Sequence, residues 1–235
     1  LFGAATTLNA GQGASAIAVG DVTGDGKMDV AVANQVANTV SVFVNRGGGA
    51  LDPAISAAAP TLPFGLALGD VNGDGRTDLA VTGYSDGVLQ LFTGQGNGMF
   101  SAGMMYQIGA RPRLVSLVDL NNDGKLDVTA VSETAAGVAV LLNQGNGAFA
   151  EAKMYGDGPS PSAVVARDLN GDGLNDLVVV SAGGKTVSIM PGQGDGTFGV
   201  GQPIAVEITP SGFDVADIDG DGKVDFTVIS VSTSE

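Results

Sequence analysis

The chain has 235 residues, 25 acidic against 10 basic, for a formal charge of −15, with 38 glycines and no cysteine, histidine or tryptophan. This composition excludes a disulfide scaffold and histidine-based acid–base or metal chemistry. With no Lys/Arg stripe to neutralise phosphates, and no apolar run near the ~20 residues that span a bilayer, neither nucleic-acid binding nor membrane insertion is expected.

Residues 1–13 align with 50–62, 99–111, 148–160 and 197–209, so the chain opens partway through a repeated unit of 49 residues. It starts at Leu1 with no charged segment followed by an apolar one, so any secretion signal is expected to have been removed or omitted, and its absence says nothing of destination. Phe2, Leu51, Phe100, Phe149 and Phe198 share one register position, a large apolar residue just after a glycine-rich turn. A short strand is expected next, over Ser15 to Gly20 and its equivalents such as Phe64 to Gly69. Pro63, Pro112, Pro161 and Pro210 precede it in four copies, at the strand position where a missing N–H costs least.

An acidic loop follows in every unit, at 21–29, 70–78, 119–127, 168–176 and 217–225. Positions one, five and nine carry Asp21, Asp25 and Asp29; Asp70, Asp74 and Asp78; Asp119, Asp123 and Asp127; Asp168, Asp172 and Asp176; and Asp217, Asp221 and Asp225. Position three is Thr23, Asn72, Asn121, Asn170 or Asp219, and a glycine at position six allows the sharp turn. Side-chain oxygens at one, three, five and nine, with a backbone carbonyl from position seven (Lys27, Arg76, Lys125, Leu174 or Lys223), suit a hard oxygen-seeking cation. Up to five Ca²⁺ are expected, which would bring −15 to −5. The loop is not an EF-hand, because its twelfth residues (Val32, Val81, Ala130, Val179 and Val228) belong to strands and not to a bidentate Glu. Asp219 should make the fifth loop the tightest and Thr23 the first the weakest. A lone Asx-rich turn could simply hydrogen-bond its own backbone; five in register, each crowding three carboxylates, favour a cation.

Beyond each loop stands a short β-branched run, as in Leu79-Ala80-Val81-Thr82 or Leu177-Val178-Val179-Val180, expected to be buried on both faces. An alternating strand comes next, such as Thr39 to Val44 or Thr186 to Met190. Turns of the type Gln95-Gly96-Asn97-Gly98 close the unit, since Asn-Gly tolerates the positive φ of a hairpin. Four strands per unit at this spacing predict an all-β chain, a β-propeller of four-stranded antiparallel blades over residues 1–235.

The run Asp-x-Asn-x-Asp-Gly-x-x-Asp, an apolar strand and a Gly-x-Gly-x-Phe turn resemble the FG-GAP/VCBS repeats, the blade type of integrin α-subunit propellers and of many bacterial surface and secreted proteins. The resemblance covers the whole chain in five copies. It implies a calcium-binding blade whose loop joins the first and second strands, and an extracellular or cell-surface setting. The family is known mainly for seven-bladed rings, longer than this chain.

Five units would need 245 residues, ten more than the 235 present. The phase of the two ends predicts a closed five-bladed ring in which residues 1–13 supply the fourth strand of the last blade. The third strand of that blade is missing, and either further chain or, as the sharper expectation, a neighbouring chain supplies it.

Fewer signals point to chemistry. Arg111, Arg113 and Arg167 lie near the start of first strands and read as solvated charge or, alternatively, as an anion site. Met104, Met105, Tyr106, Met154 and Tyr155 fall on outer strands, as blade packing or a partner patch. Asp214 has no paired acid. The chain is therefore read as a calcium-stabilised extracellular structural or adhesion module, not an enzyme, whose partner is a protein or a neighbouring copy. A carbohydrate-binding propeller is the alternative, with few rings for stacking on a glycan, and a polysaccharide-active enzyme comes third.

Overall fold

In the computed structural model, which describes residues 6–134, 137–156, 158–210, 212–221 and 223–230, each of the first four repeats forms a four-stranded antiparallel sheet. Blade one holds β1 (Ala14–Gly20), β2 (Asp29–Asn34) and β3 (Thr39–Phe43), a small hairpin of β4 (Asn45–Gly47) and β5 (Ala50–Leu51), and the outer strand β6 (Ile55–Ala58). Blade two is β7 (Pro63–Gly69), β8 (Asp78–Gly83), β9 (Val88–Gly94) and β10 (Phe100–Gln107). Blade three is β11 (Pro112–Val118), β12 (Asp127–Ser132) and β13 (Gly137–Leu141), the hairpin β14 (Asn143–Gly145) and β15 (Ala148–Phe149), and β16 (Lys153–Tyr155). Blade four is β17 (Pro161–Arg167), β18 (Asp176–Ser181), β19 (Thr186–Met190) and β20 (Gln202–Ala205); the fifth repeat contributes the hairpin β21 (Gly212–Ala216) and β22 (Asp225–Ile229). No helix occurs among the described residues.

Each acidic loop joins a first strand to a second, as expected, and first strands of successive blades lie side by side. The short runs after the loops are the middle of each sheet, and β8, β12 and β18 are buried along their whole length. Alternation along a strand sends neighbouring residues to opposite faces, and the two faces of a blade meet different neighbours. In blade two, Leu66, Leu79, Val81 and Phe92 pack on Val22, Ala31, Ala33, Val40 and Val42 of blade one. From its other face, Val71, Ala80, Leu89 and Leu91 pack on Val115, Val128 and Leu141 of blade three. The same joint recurs between blades three and four, where Leu120, Val131, Val138 and Val140 meet Val164, Leu177, Val179 and Met190. A smaller version, Val178, Val180 and Val187 against Phe213 and Val228, seats the last hairpin. The core is thus a row of separate interblade cores with no common centre, the organisation of a repeat protein.

The predicted closure differs from what is observed. No strand pairing joins the first repeat to the last among the described residues, and β22 pairs with β21 alone. Residues 6–13 form no strand, and residues 1–5 of the predicted fourth strand lie outside the described residues. The segment is occupied elsewhere. Gly13 O accepts a hydrogen bond from Gln35 N at 2.7 Å and Gln12 O one from Ala37 N at 3.1 Å, which tie it to its own blade's turn. Leu8 and Ala10 lie beside Ile17, Val30, Val32 and Phe43 on the blade face that no other blade covers. Ile17 is 67% exposed there, whereas its register equivalents Leu66, Val115 and Val164 are 7–8% exposed. On the far side Ile218 is 60% exposed, against 2–5% for Val22, Val71 and Leu120 at the same position. The described blades form an open row.

Candidate metal centres

The loop conformation follows from Asx chemistry. The position-one carboxylate sits inside the turn: Asp21 accepts from Gly24 N (2.7 Å) and Gly26 N (2.7 Å), Asp70 from Gly73 N (2.7 Å) and Gly75 N (2.8 Å), and Asp168 from Gly171 N (2.7 Å) and Gly173 N (2.9 Å). Asp119 accepts from Gly124 N at 2.8 Å and Asp217 from Gly220 N at 2.7 Å. The backbone N–H of Gly26 is the main reason the Asp21 carboxyl lies below the ordinary range, and that of Gly173 does the same for Asp168. Position three folds the next step, with Asn72, Asn121, Asn170 and Asp219 each accepting from the backbone N of position five at 2.8–3.1 Å. Thr23 instead turns its hydroxyl to Asp21 at 3.3 Å. Asp25, Asp74, Asp123, Asp172 and Asp221 accept from the backbone N of position seven at 2.8–3.0 Å. Where position seven is lysine, Lys27, Lys125 and Lys223 also pair with that carboxylate at 2.7, 2.8 and 3.0 Å. Those side-chain bonds come first among the causes that lower Asp25 and Asp123, and the backbone N–H of Lys223 comes first for Asp221. Loop glycines such as Gly75 and Gly173 hold φ of 79° and 83°, which a side chain would strain.

Position nine has a duty that the sequence reading missed. Asp29, Asp78, Asp127 and Asp176 open the second strands and are at most 1% exposed. One oxygen of each accepts from the backbone N of position two (Val22, Val71, Leu120 or Leu169) at 2.9–3.2 Å. The other accepts from a backbone N–H at or just beyond the end of the third strand, at Asn45, Gly94, Asn143 or Gly192, at 2.7–2.8 Å. Each is a strut joining loop, second strand and the turn beyond the third. Burial raises the Asp78 and Asp127 carboxyls, with their N–H partners pulling the other way. Recurrence of Asp at position nine in all five loops was the available signal, but it was assigned to cation binding alone.

Loop and neighbouring blade are also linked. Thr77 Oγ1 donates to the carbonyl of Asp21 at 2.6 Å and Asn175 Nδ2 to that of Asp119 at 2.8 Å, each from position eight of one loop to position one of the loop before it. Asn143 Nδ2 reaches Val71 O at 2.8 Å, and Asn122 Nδ2 reaches Gly173 O at 3.0 Å.

Every side-chain donor in these loops that faces the turn is an oxygen, the donor set of Ca²⁺ or Mg²⁺ and not of a soft metal. Among the described residues three acidic oxygens come within 4.8 Å of one another in one place, Asp217, Asp219 and Asp225 of the fifth loop. That is the loop in which the sequence places an extra carboxylate at position three. In the other loops Asp29, Asp78, Asp127 and Asp176 lie beneath the turn, away from such a cluster. The residues fit a cation, with positions one, three and five and the carbonyl of position seven available to hold it; position nine joins them in the fifth loop through Asp225 and serves as a strut in the other four.

A row of four-stranded blades with an acidic loop between the first two strands defines the class, a β-propeller repeat protein. The sequence profile of the FG-GAP-like repeat matches residues 21–81, 70–130, 119–179 and 168–228, and the chain belongs to that family. No curated protein matches it in sequence. Solved structures of similar fold include an Agrocybe aegerita lectin described as recognising non-reducing terminal N-acetylglucosamine. It is 24% identical with a TM-score of 0.58, over 80% of this chain and 51% of that one. The Pseudomonas aeruginosa periplasmic gluconolactonase PpgL is 16% identical with a TM-score of 0.60, over 93% and 57%. BBS1N, solved in complex with ARL6DN, is 13% identical with a TM-score of 0.64, over 88% and 62%. The chain thus spans between half and two thirds of the length of these structures. At such identities the likeness establishes the fold.

One expectation is corrected by it. The chain was read as not an enzyme because it lacks His, Cys and any nucleophile–base motif, but the same architecture carries a gluconolactonase. On a propeller, residues of separate blades meet at strand ends, so a missing linear motif does not exclude an active site.

Proposed function

We propose that the chain is a calcium-stabilised extracellular structural module that mediates protein contact or assembly. The observation that carries this reading is the coupling of loops to blade joints: Thr77 and Asn175 bond the carbonyls of Asp21 and Asp119, which are position-one residues of the preceding loops. A cation that orders one loop therefore orders its junction with the next blade. The convergence of Asp217, Asp219 and Asp225 supports Ca²⁺ as the ion. An extracellular setting suits loops of modest affinity, since free calcium there is plentiful. Thermal melting in millimolar calcium and in chelator tests the reading. At ten times its Kd each occupied loop adds about 1.4 kcal/mol, so the midpoint should fall by several degrees on chelation. An unchanged midpoint would overturn it.

A further inference from the structure

At the strand ends opposite the acidic loops, each interblade joint offers two side-chain positions per blade: the residue after the leading proline of the first strand, and the residue just past the second strand. Between blades two and three these are Phe64 and Tyr84 from one side and Arg113 and Glu133 from the other, and the joint is occupied. The two rings lie 5.7 Å apart with planes tilted by 30°. The Arg113 guanidinium stands 5.1 Å from the Phe64 centroid and 5.9 Å from that of Tyr84. Glu133 Oε2 accepts from Arg113 Nε at 3.0 Å and from Tyr84 Oη at 3.2 Å.

Between blades three and four the corresponding positions are Ser162 and Ala182. Here Arg113 and Glu133 are the earlier blade's pair, blade four faces them with no ring, and a cavity of about 250 Å³ opens, lined by Arg113, Glu133, Ser160, Pro161, Ser162 and Ala182. Arg113 is held for this space from behind. Thr82, fully buried, donates to its carbonyl at 3.0 Å, and the aromatic pair stacks on its guanidinium. Glu133 takes only Nε; the two Nη groups donate no hydrogen bond to described residues. Ser162 Oγ makes only a long 3.4 Å bond to Val180 O. Arg111, 5.9 Å from the Tyr84 ring on the blade-two side, does not line the cavity but adds to the positive field on Glu133.

We propose that this cavity binds a sugar acid of monosaccharide size. A planar fork of Nη donors matches a carboxylate bidentately. The hydroxyls of Ser160 and Ser162 and the second oxygen of Glu133 suit sugar hydroxyls, while Pro161 and Ala182 supply an apolar wall. The volume falls below the roughly 300–1,000 Å³ of drug-sized pockets and limits the ligand to about one ring. The site lies at the opposite strand ends from the calcium loops and does not rest on them.

Isothermal titration of the 235-residue chain with D-galacturonate, methyl D-galactoside and acetate tests this, each ligand with and without chelator. Galacturonate should bind at least tenfold more tightly than either control, in chelator as well as in calcium, and more weakly as salt rises. Arg113→Gln should lose at least tenfold. Ser162→Phe, which puts into the cavity wall the ring that blade two carries at the same strand position, should abolish binding while circular dichroism stays native. Absence of galacturonate binding, equal binding of the neutral galactoside or of acetate, or a folded Ser162→Phe protein that binds like wild type would each overturn the proposal. Should Arg113→Gln not fold, the ligand comparison and Ser162→Phe still decide.

Discussion

Replacing Asp127 with alanine removes the strut of blade three without touching its apolar joints. Two acceptors vanish at once, for Leu120 N at 2.9 Å and Asn143 N at 2.8 Å. Asp127, Leu120 and Asn143 are all buried, so the two N–H groups lose their acceptor away from solvent. A hydrogen bond to a charged group contributes about 1.5–3 kcal/mol, and a buried N–H left unpaired forfeits about 1–3 kcal/mol, so the pair should cost roughly 3–5 kcal/mol. Asp123 in the same loop is the control. Its oxygens meet neighbours within the exposed tip, Lys125 through the backbone N at 2.9 Å and Nζ at 2.8 Å and the side chain of Asn121. Urea unfolding in chelator, which removes any difference in cation binding, should therefore show a far lower midpoint for Asp127→Ala than for Asp123→Ala. Equal midpoints would refute the assignment of position nine as a strut and return it to ligand duty alone.

Asp219→Asn should weaken the fifth loop towards the affinity of the second, third and fourth, and Thr23→Asp should strengthen the first; site-resolved calcium titration checks both. Gly65→Ala should destabilise by about 1–3 kcal/mol in thermal melts, because its Cβ would collide with the carbonyl of Arg113. Leu66→Ala, 8% exposed in the first joint, should cost about 2–4 kcal/mol, whereas Ile17→Ala, 67% exposed, should cost under ~0.5 kcal/mol; comparable losses would show that the outer face of blade one is covered in solution. The Arg113 hydrogen bond holds Glu133 below its ordinary 4.5, so its contribution to stability is full above that pH and disappears as pH falls through the lowered folded value. The stability gap between wild type and Glu133→Gln should therefore be present at pH 7 and close in acid.

The repeat made much of the architecture legible. A fixed interval of 49 residues set the strands, and Asp and Gly at set offsets placed every loop between first and second strands. Alternation such as Val30, Ala31, Val32, Ala33 showed a strand with two apolar faces, but which blade each face meets is a property of the fan and not of the strand. The same limit explains position nine. A periodic Asp looks like a cation ligand until folding brings Asn45 or Gly94 above it, since those turns lie 16 residues away in sequence. The cluster of Phe64, Tyr84, Arg113 and Glu133 was harder still, because it forms where the repeat breaks its own pattern and one blade completes another. Phase alone also suggested that residues 1–13 cross to the last blade, whereas Leu8 finds apolar surface closer by.

The joints between blades have a consequence for how such a chain changes length. Both sides of every joint are written within each unit, a face of small residues such as Ala31 and Ala33 and a receiving face such as Leu79, Val81 and Phe92. Excising or duplicating a whole unit of 49 residues leaves each surviving joint with the same two casts, and loop-to-loop bonds still find a neighbour in register. Curvature is fixed locally and blade number is not, so the array can be lengthened or shortened by whole units while its apolar joints are kept and only polar contacts such as those of Thr77, Asn175 and Arg113 change from joint to joint.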